Sequence, residues 1–384
     1  MNILIIVSVS LPPSDGIGRH VMTLAGRLRG HGHQVSVITR GRPGKTEDSI
    51  VDGIRVLRIP FLPVYPFHVH IHGLFVRRAI MSLSPPPDLL HLHSPLVPPV
   101  KKTVPIVTTF HSPSRVTFAR SARGDLPDQL RKWMARTVSY RLEKRLLQVS
   151  DEAITVHDRV REDFRKYYSD RVDYHIIPNA VDSDFFRPVA LSARKKILLY
   201  AGRLDYRKGL LDLVRAAPAI VSRHPDARFV LLGAGPFRAK LEGEVERQGL
   251  KSRFAFLGEI TDPETILQHY QESYAVIHPS YAEGCPLAVL EAMACGRPII
   301  AAASGFEQGL LEDGENALLV PPSSPNDLAA AALRLLSSPE FANRIGQAAR
   351  KKAVESLDVR TVINKIEEVY GRAVAKWTAA QRKT

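Results

Sequence analysis

Short, continuous apolar runs alternate along this chain with longer stretches in which apolar residues recur every three or four positions. The runs predict strands at residues 2–9, 34–39, 54–59, 89–93, 104–110, 153–156 and 174–177. A second series follows at 196–201, 228–233, 254–258, 275–278, 299–303 and 317–320. A strand covered by helices on both faces has no polar side, so runs without alternation, separated by helical segments, predict parallel sheets. The fold class is α/β.

The series breaks between Pro178 and Lys195, where two prolines interrupt a stretch with no clean period. After it the strand–helix alternation restarts. The expected organisation is an N-terminal Rossmann-like domain over 1–178, a linker over 179–195 and a C-terminal Rossmann-like domain over 196–356. Residues 357–384 are helical in composition and are expected to cross back to the first domain. Two doubly wound domains bind ligands at the carboxyl ends of their strands, so a shared ligand is expected in a central cleft.

Composition narrows the compartment. No apolar run in the 384 residues approaches the roughly 20 needed to span a bilayer. The opening run lacks a preceding Lys or Arg and is interrupted by Pro12 and Pro13, so it reads as a buried strand rather than a signal peptide. The default compartment is the cytoplasm. Two cysteines, Cys285 and Cys295, exclude a disulfide framework, and without companion ligands they do not suggest a metal site.

The net charge is +14 and uneven: residues 1–190 carry 27 Lys/Arg against 17 Asp/Glu. Such a balance attracts phosphate-bearing partners. Residues 115–148 concentrate it, with nine Lys/Arg, three Asp/Glu and an apolar stripe at Leu126, Leu130, Trp133, Met134, Thr137 and Val138. A basic amphipathic helix predicts peripheral contact with an anionic membrane. The competing reading packs the stripe on the domain and leaves the charges solvated. A basic nucleic-acid-binding protein would also explain the charge, but no binding motif or aromatic stacking pattern supports it, and nucleic acid is not expected.

Three stretches carry candidate chemistry. After the first strand comes Ser14-Asp15-Gly16-Ile17-Gly18, small residues that let backbone approach an anion at a helix start. After the eighth predicted strand comes Gly202-Arg203-Leu204-Asp205-Tyr206-Arg207-Lys208-Gly209, with Arg203 just past the strand and Lys208 expected to open a helix. A guanidinium fork and an ammonium suit a pyrophosphate. After the strand ending at His278 comes a loop carrying Glu283. Pro286 then begins a helix that holds Glu291 and ends at Gly296. An apolar helix rarely buries a glutamate without a partner. The pair is open to two roles, general acid and base or acceptors for sugar hydroxyls.

Taken together, these motifs resemble the retaining nucleotide-sugar glycosyltransferases of family 4, whose fold is GT-B. The resemblance spans nearly the whole chain: Gly16, the strand start at Gly32-His33-Gln34-Val35-Ser36-Val37, Thr108-Thr109-Phe110-His111, and Ile177-Pro178-Asn179-Ala180-Val181-Asp182. It continues through the Arg203–Lys208 stretch, Gly233-Ala234-Gly235-Pro236, and Glu283 with Glu291 eight residues on. It implies transfer of a sugar from a UDP- or GDP-sugar. By this resemblance Glu291 binds the donor ribose, Glu283 the sugar hydroxyls, and Arg203 and Lys208 the leaving diphosphate. The backbone amides at Gly16, Leu287 and Ala288 meet the same group, and His111 faces the sugar near the reacting carbon. Glu307 is also carried over by this resemblance.

No cofactor or metal is implied, because the nucleotide sugar is a substrate and Arg and Lys supply the charge. The expected acceptor is a lipid or lipid-linked glycan at the inner membrane face. The alternative is a small soluble acceptor such as a sugar phosphate or an inositol-like alcohol. Two departures stand out: Asp15-Gly16 where the family often has Gly-Gly, and the 304–309 segment, which lacks the usual glycine pair.

Histidines recur at alternate positions, His68/His70/His72 and His91/His93. On strands each set would share a face. With no committed carboxylate or cysteine nearby, they are expected at strand edges or in an acceptor pocket rather than on a metal.

Overall fold

The computed structural model describes residues 1–9, 11, 16–64, 67–113, 126–168, 172–189 and 195–382, with backbone only at 126–136. The chain forms two compact units, residues 1–179 with 360–384 and residues 180–359.

The first unit is built on β1 (Asn2–Val7), β2 (Gln34–Gly41), β3 (Glu47–Val51), β4 (Ile54–Pro60), β5 (Leu89–Ser94), β6 (Ile106–Phe110), β7 (Glu152–Thr155) and β8 (Tyr174–Ile176). They order as β3-β4-β2-β1-β5-β6-β7-β8. All neighbours are parallel except the edge strand β3, which is antiparallel to β4. Strands β5 and β6 are buried along their whole length, as continuous apolar runs require. The pattern missed β3, because an edge strand with no fully buried position leaves no apolar run. A two-residue turn, Asp52 (φ 49°) and Gly53 (φ 74°), joins it to β4. Helices α1 (Gly16–Gly30), α2 (His68–Met81), α3 (Leu126–Val149) and α4 (Asp158–Tyr167) belong to this unit. The chain reverses direction across the sheet at β1/β5, which is its topological switch point.

The second unit has six parallel strands: β9 (Ile197–Ala201), β10 (Arg228–Leu232), β11 (Phe254–Gly258), β12 (Ala275–His278), β13 (Ile299–Ala302) and β14 (Leu318–Val320), ordered β11-β10-β9-β12-β13-β14. Its described helices are α5 (Leu210–Arg223), α6 (Arg238–Arg247), α7 (Pro263–Glu272), α8 (Leu287–Ala294), α9 (Pro325–Ser337) and α10 (Pro339–Lys352). The switch point falls between β9 and β12. Helix α8 is apolar around most of its circumference and is accordingly buried from Ala288 to Ala294. Pro286 is its N-cap rather than its first residue, and Gly296 (φ 64°) follows its end as expected. Val181 pairs with Asp358, whose carboxylate accepts from Ser183 N (3.2 Å) and Oγ (2.5 Å). The front of the predicted linker is therefore part of this unit.

The last helix, α11 (Val359–Gln381), returns to the first unit. Val362, Ile363, Ile366, Val369, Tyr370 and Ala373 are buried at helical spacing. Glu367 meets His31 (3.1 Å) and His33 (2.9 Å), and Lys376 meets Glu152 (2.8 Å). Among the described residues, no helix is long and apolar enough to cross a membrane.

Candidate active site

Two loops meet at the switch point of the second unit. The loop after β9 ends in a single 3-10 turn, Tyr206–Lys208, capped by Asp205, whose side chain accepts from Arg207 N (2.9 Å). Lys208 therefore closes this turn and does not open α5, as the sequence had suggested. Gly209 (φ 65°) makes the junction, and a Cβ there would lie 2.0 Å from the Pro279 carbonyl oxygen. Only glycine permits this approach. It brings the turn against the loop after β12, where Tyr281 N donates to Arg207 O (2.8 Å).

The approach places Lys208 on Glu283. The ammonium is 2.5 Å from Glu283 Oε1, and the same oxygen takes Ser280 Oγ (2.6 Å) and lies 3.2 Å from His278 Nε2. Burial would raise the Glu283 carboxyl. The Lys208 charge and the His278 contact outweigh it and hold the carboxyl well below its ordinary 4.5. With a side chain 13% exposed, Glu283 is thus a nearly buried carboxylate that accepts hydrogen bonds and does not carry a proton to donate. Tyr200 stacks on His278 and donates to the Arg203 carbonyl (2.9 Å). Ser280, His278 and Tyr200 were not singled out in the sequence. Only the place of Ser280 and His278 beside Glu283 past a strand's end could have pointed to them.

The other predicted residues of this unit make separate contacts. Glu291 is buried in α8, and its Oε2 accepts from the buried Tyr270 hydroxyl (2.8 Å), the partner that an apolar helix demands for a glutamate. The amides of Leu287 and Ala288 precede the first turn's bonds to the Pro286 carbonyl, at the end of α8 where helix geometry leaves amides without an intrahelical acceptor. Arg203 is 70% exposed, with Asp205 4.0 Å away, and among the described residues it makes no ion pair with Glu283. Glu307 turns back on its own loop, accepting from Gly305 N (2.7 Å).

In the first unit, Gly16 begins α1 at an exposed position; Asp15 lies outside the described residues. His111 follows β6 and is buried with His20, His91 and His93. Burial lowers His20 to about 4 and, aided by His20, His91 to about 3. Burial and neighbouring imidazoles push His93 and His111 well below 6.5. These rings are neutral. His91 and His93 share a strand face as expected. His68, His70 and His72 do not, because they lie on α2, where alternate residues diverge. His72 is buried with Nδ1 3.0 Å from the Pro60 carbonyl, whereas His70 is exposed. Of the 115–148 segment, residues 115–125 and the side chains of Leu126, Leu130, Trp133 and Met134 lie outside what is described. Beyond it, Arg141, Lys144 and Arg145 are exposed while Leu142, Leu146 and Leu147 are buried.

The pair lies at the switch point of a doubly wound unit, where such folds bind ligands, and comparisons with known proteins identify the class. The Glycosyltransferase Family 4 model matches residues 14–185, and the model for Glycosyl transferases group 1 matches 182–352. The phosphatidyl-myo-inositol mannosyltransferase of Mycobacterium tuberculosis (strain ATCC 25618 / H37Rv) is 30% identical over 400 residues, covering 96% of each chain. The D-inositol 3-phosphate glycosyltransferase of Nocardiopsis dassonvillei is 27% identical, covering 94% of this chain and 90% of that one. Among solved structures, sucrose-phosphate synthase from Thermosynechococcus elongatus superposes with a TM-score of 0.82 at 24% identity, over 97% of this chain and 99% of that one. HepE of Anabaena, in complex with UDP and glucose, gives 0.74 at 19% identity, over 97% and 99%. The protein is a glycosyltransferase with the GT-B fold. The chain belongs to glycosyltransferase family 4.

Proposed function

We propose that this enzyme is a retaining transferase that takes its sugar from a UDP- or GDP-sugar. The observation that carries this reading is the Lys208–Glu283 contact at the β9/β12 switch point. On donor binding Lys208 turns to the diphosphate together with Arg203, and Glu283, an ionised acceptor, takes hydroxyls of the sugar. Glu291 takes the ribose, and the amides of Gly16, Leu287 and Ala288 meet phosphate oxygens. The acceptor oxygen bonds to the anomeric carbon as that carbon's bond to the diphosphate breaks. The acceptor's proton passes to the departing phosphate oxygen on the same face, so configuration is retained. His111 contacts the sugar beside the reacting carbon. No metal is required on this reading, because fixed cations and amides meet the developing charge.

A second observation favours an acceptor at an anionic membrane surface. Phe67 at the N-cap of α2 and Leu74 and Met81 on the helix are exposed at intervals of seven, beside exposed Arg77 and Arg78. Residues 53–87 contain four arginines and no Asp or Glu. An apolar stripe edged by guanidinium groups suits an anionic leaflet. The basic face of α3 adds to this, and the 30% identical relative is a phosphatidyl-myo-inositol mannosyltransferase.

The test is proton NMR of the reaction with UDP- and GDP-sugars, using lipid and soluble inositol-like or sugar-phosphate acceptors. An α-linked product from an α-linked donor is expected. A β-linked product would refute retention, and turnover with soluble acceptors alone would move the reading to the small-acceptor alternative.

A further inference from the structure

The buried histidines of the first unit form an ordered set. His91 and His93 project from one face of β5, with ring centroids 4.2 Å apart. His91 uses both nitrogens, Nδ1 with the Tyr370 hydroxyl of α11 (2.7 Å) and Nε2 with Thr109 Oγ1 of β6 (2.8 Å). Its ring is pinned from two sides, and it in turn backs His93. His93 Nδ1 lies 3.1 Å from His111 Nε2, the two rings are stacked at 24°, and His20 meets both at centroid distances of 5.7 and 5.6 Å.

The proton between His93 and His111 can be placed. His93 Nε2 is buried, and among the described residues it has no hydrogen-bond partner. If His93 carried its proton there, a buried N–H would be orphaned and His111 would have to donate. With the proton on Nδ1, only a bare lone pair goes unmatched, and orphaned buried N–H groups are the rarer of the two. Burial keeps both rings neutral, so one proton per ring is available.

We infer that His93 is a positioning residue for the transfer reaction: its Nδ1–H donates to Nε2 of His111 and fixes His111 as the tautomer protonated on Nδ1. This rests on the reading that His111 contacts the donor sugar. His111 then presents an N–H from Nδ1, a donor suited to an oxygen of the donor, while its Nε2 is occupied. The pinned His91 and the His20 ring limit how far His93 can tilt. A ring free to exchange tautomers would spend part of its time without that donor.

The experiment compares His93→Phe, which keeps a ring but cannot donate, with His93→Asn, whose amide can donate from near the Nδ1 position. His111→Ala serves as the reference. In the native chain labelled with 15N-histidine, ring correlations are expected to show His111 protonated on Nδ1. His93→Phe is expected to lower kcat by roughly tenfold to a hundredfold, with donor KM changed by less than about threefold. It should also admit the Nε2-protonated form of His111. His93→Asn should recover kcat to within about threefold of the native value. A native His111 protonated on Nε2 overturns the inference whatever the variants do. So does a His93→Phe variant with native kcat when His111→Ala has lost turnover. If His111→Ala itself turns over normally, the role of His111 in the reaction fails instead, and the tautomer signal alone decides the contact.

Discussion

The switch points of the two units hold their polar groups in opposite ways. In the second unit, Glu283 keeps its charge although nearly buried, because Lys208, Ser280 and His278 converge on one of its oxygens. In the first, His20, His91, His93 and His111 are buried together and lose their charge. On the proposed reading, this ion pair exchanges its internal partner for a diphosphate and a sugar. A packed set of neutral rings has no charge to exchange and instead fixes direction. On the proposed reading the second unit meets the donor's charge, whereas the rings of the first unit carry no charge to offer.

The comparison breaks first at Lys208. Lys208→Ala removes a charge at the leaving group and strands Glu283 with one cation fewer, and turnover should fall about a hundredfold or more. Arg203→Ala should also lower turnover about a hundredfold, since Arg203 is assigned the same leaving group. Steady-state rates on folded variants check both, and near-native turnover in either removes that residue from the role. Glu283→Gln and Glu291→Gln sharpen the picture inside the second unit. The former should harm transfer more than nucleoside diphosphate binding and the latter the reverse, as titrations with nucleoside diphosphate and intact donor would read. The opposite pattern would exchange their roles.

Acid separates the two units next. His20 titrates at about 4 folded against an ordinary 6.5, so between those values the unfolded chain binds a proton that the native one does not. Stability from the histidine set is complete above pH 6.5 and falls as pH drops toward 4. The depressed Glu283 carboxyl contributes stability present above its ordinary 4.5 and lost only below it. Thermal melts should therefore lose on the order of several degrees between pH 7 and 5, before carboxylates titrate. A melting temperature that stays level across that window would contradict neutral burial of the rings. The smallest effect concerns the surface. Vesicles with anionic lipid should retain the enzyme at low salt and release it at high salt, each arginine contributing about 1 kcal/mol. Leu74→Ser with Arg77→Ser and Arg78→Ser should weaken that retention. Equal, negligible binding to neutral and anionic vesicles would remove the membrane from the account.

Much of this was legible in the sequence because buried parallel strands write themselves as unbroken apolar runs. The thirteen strands so marked are present within a few residues of their expected ends, whereas β3, with alternating partial exposure, left no such mark. The histidines show the limit of periodicity. Alternation at His91 and His93 was correctly read as one strand face. The same alternation at His68, His70 and His72 was misread, because period two carries that meaning only on a strand. The candidate site was legible as residues but not as contacts. Lys208 and Glu283 are 75 positions apart, and what joins them is the close approach of Gly209 to the Pro279 carbonyl, which no local pattern encodes. The Tyr270 partner of Glu291 and the His93 partner of His111 were hidden for the same reason, since each lies on a different element.

The central claim is that the ion-paired switch point of the second unit is the nucleotide site, and calorimetric titration with UDP, GDP, ADP and TDP tests it most directly. At least one nucleoside diphosphate should bind the native chain saturably, and Lys208→Ala should weaken that binding about tenfold or more, as loss of a charge-assisted contact requires. Absence of binding to all four, or native affinity in Lys208→Ala, would contradict the assignment.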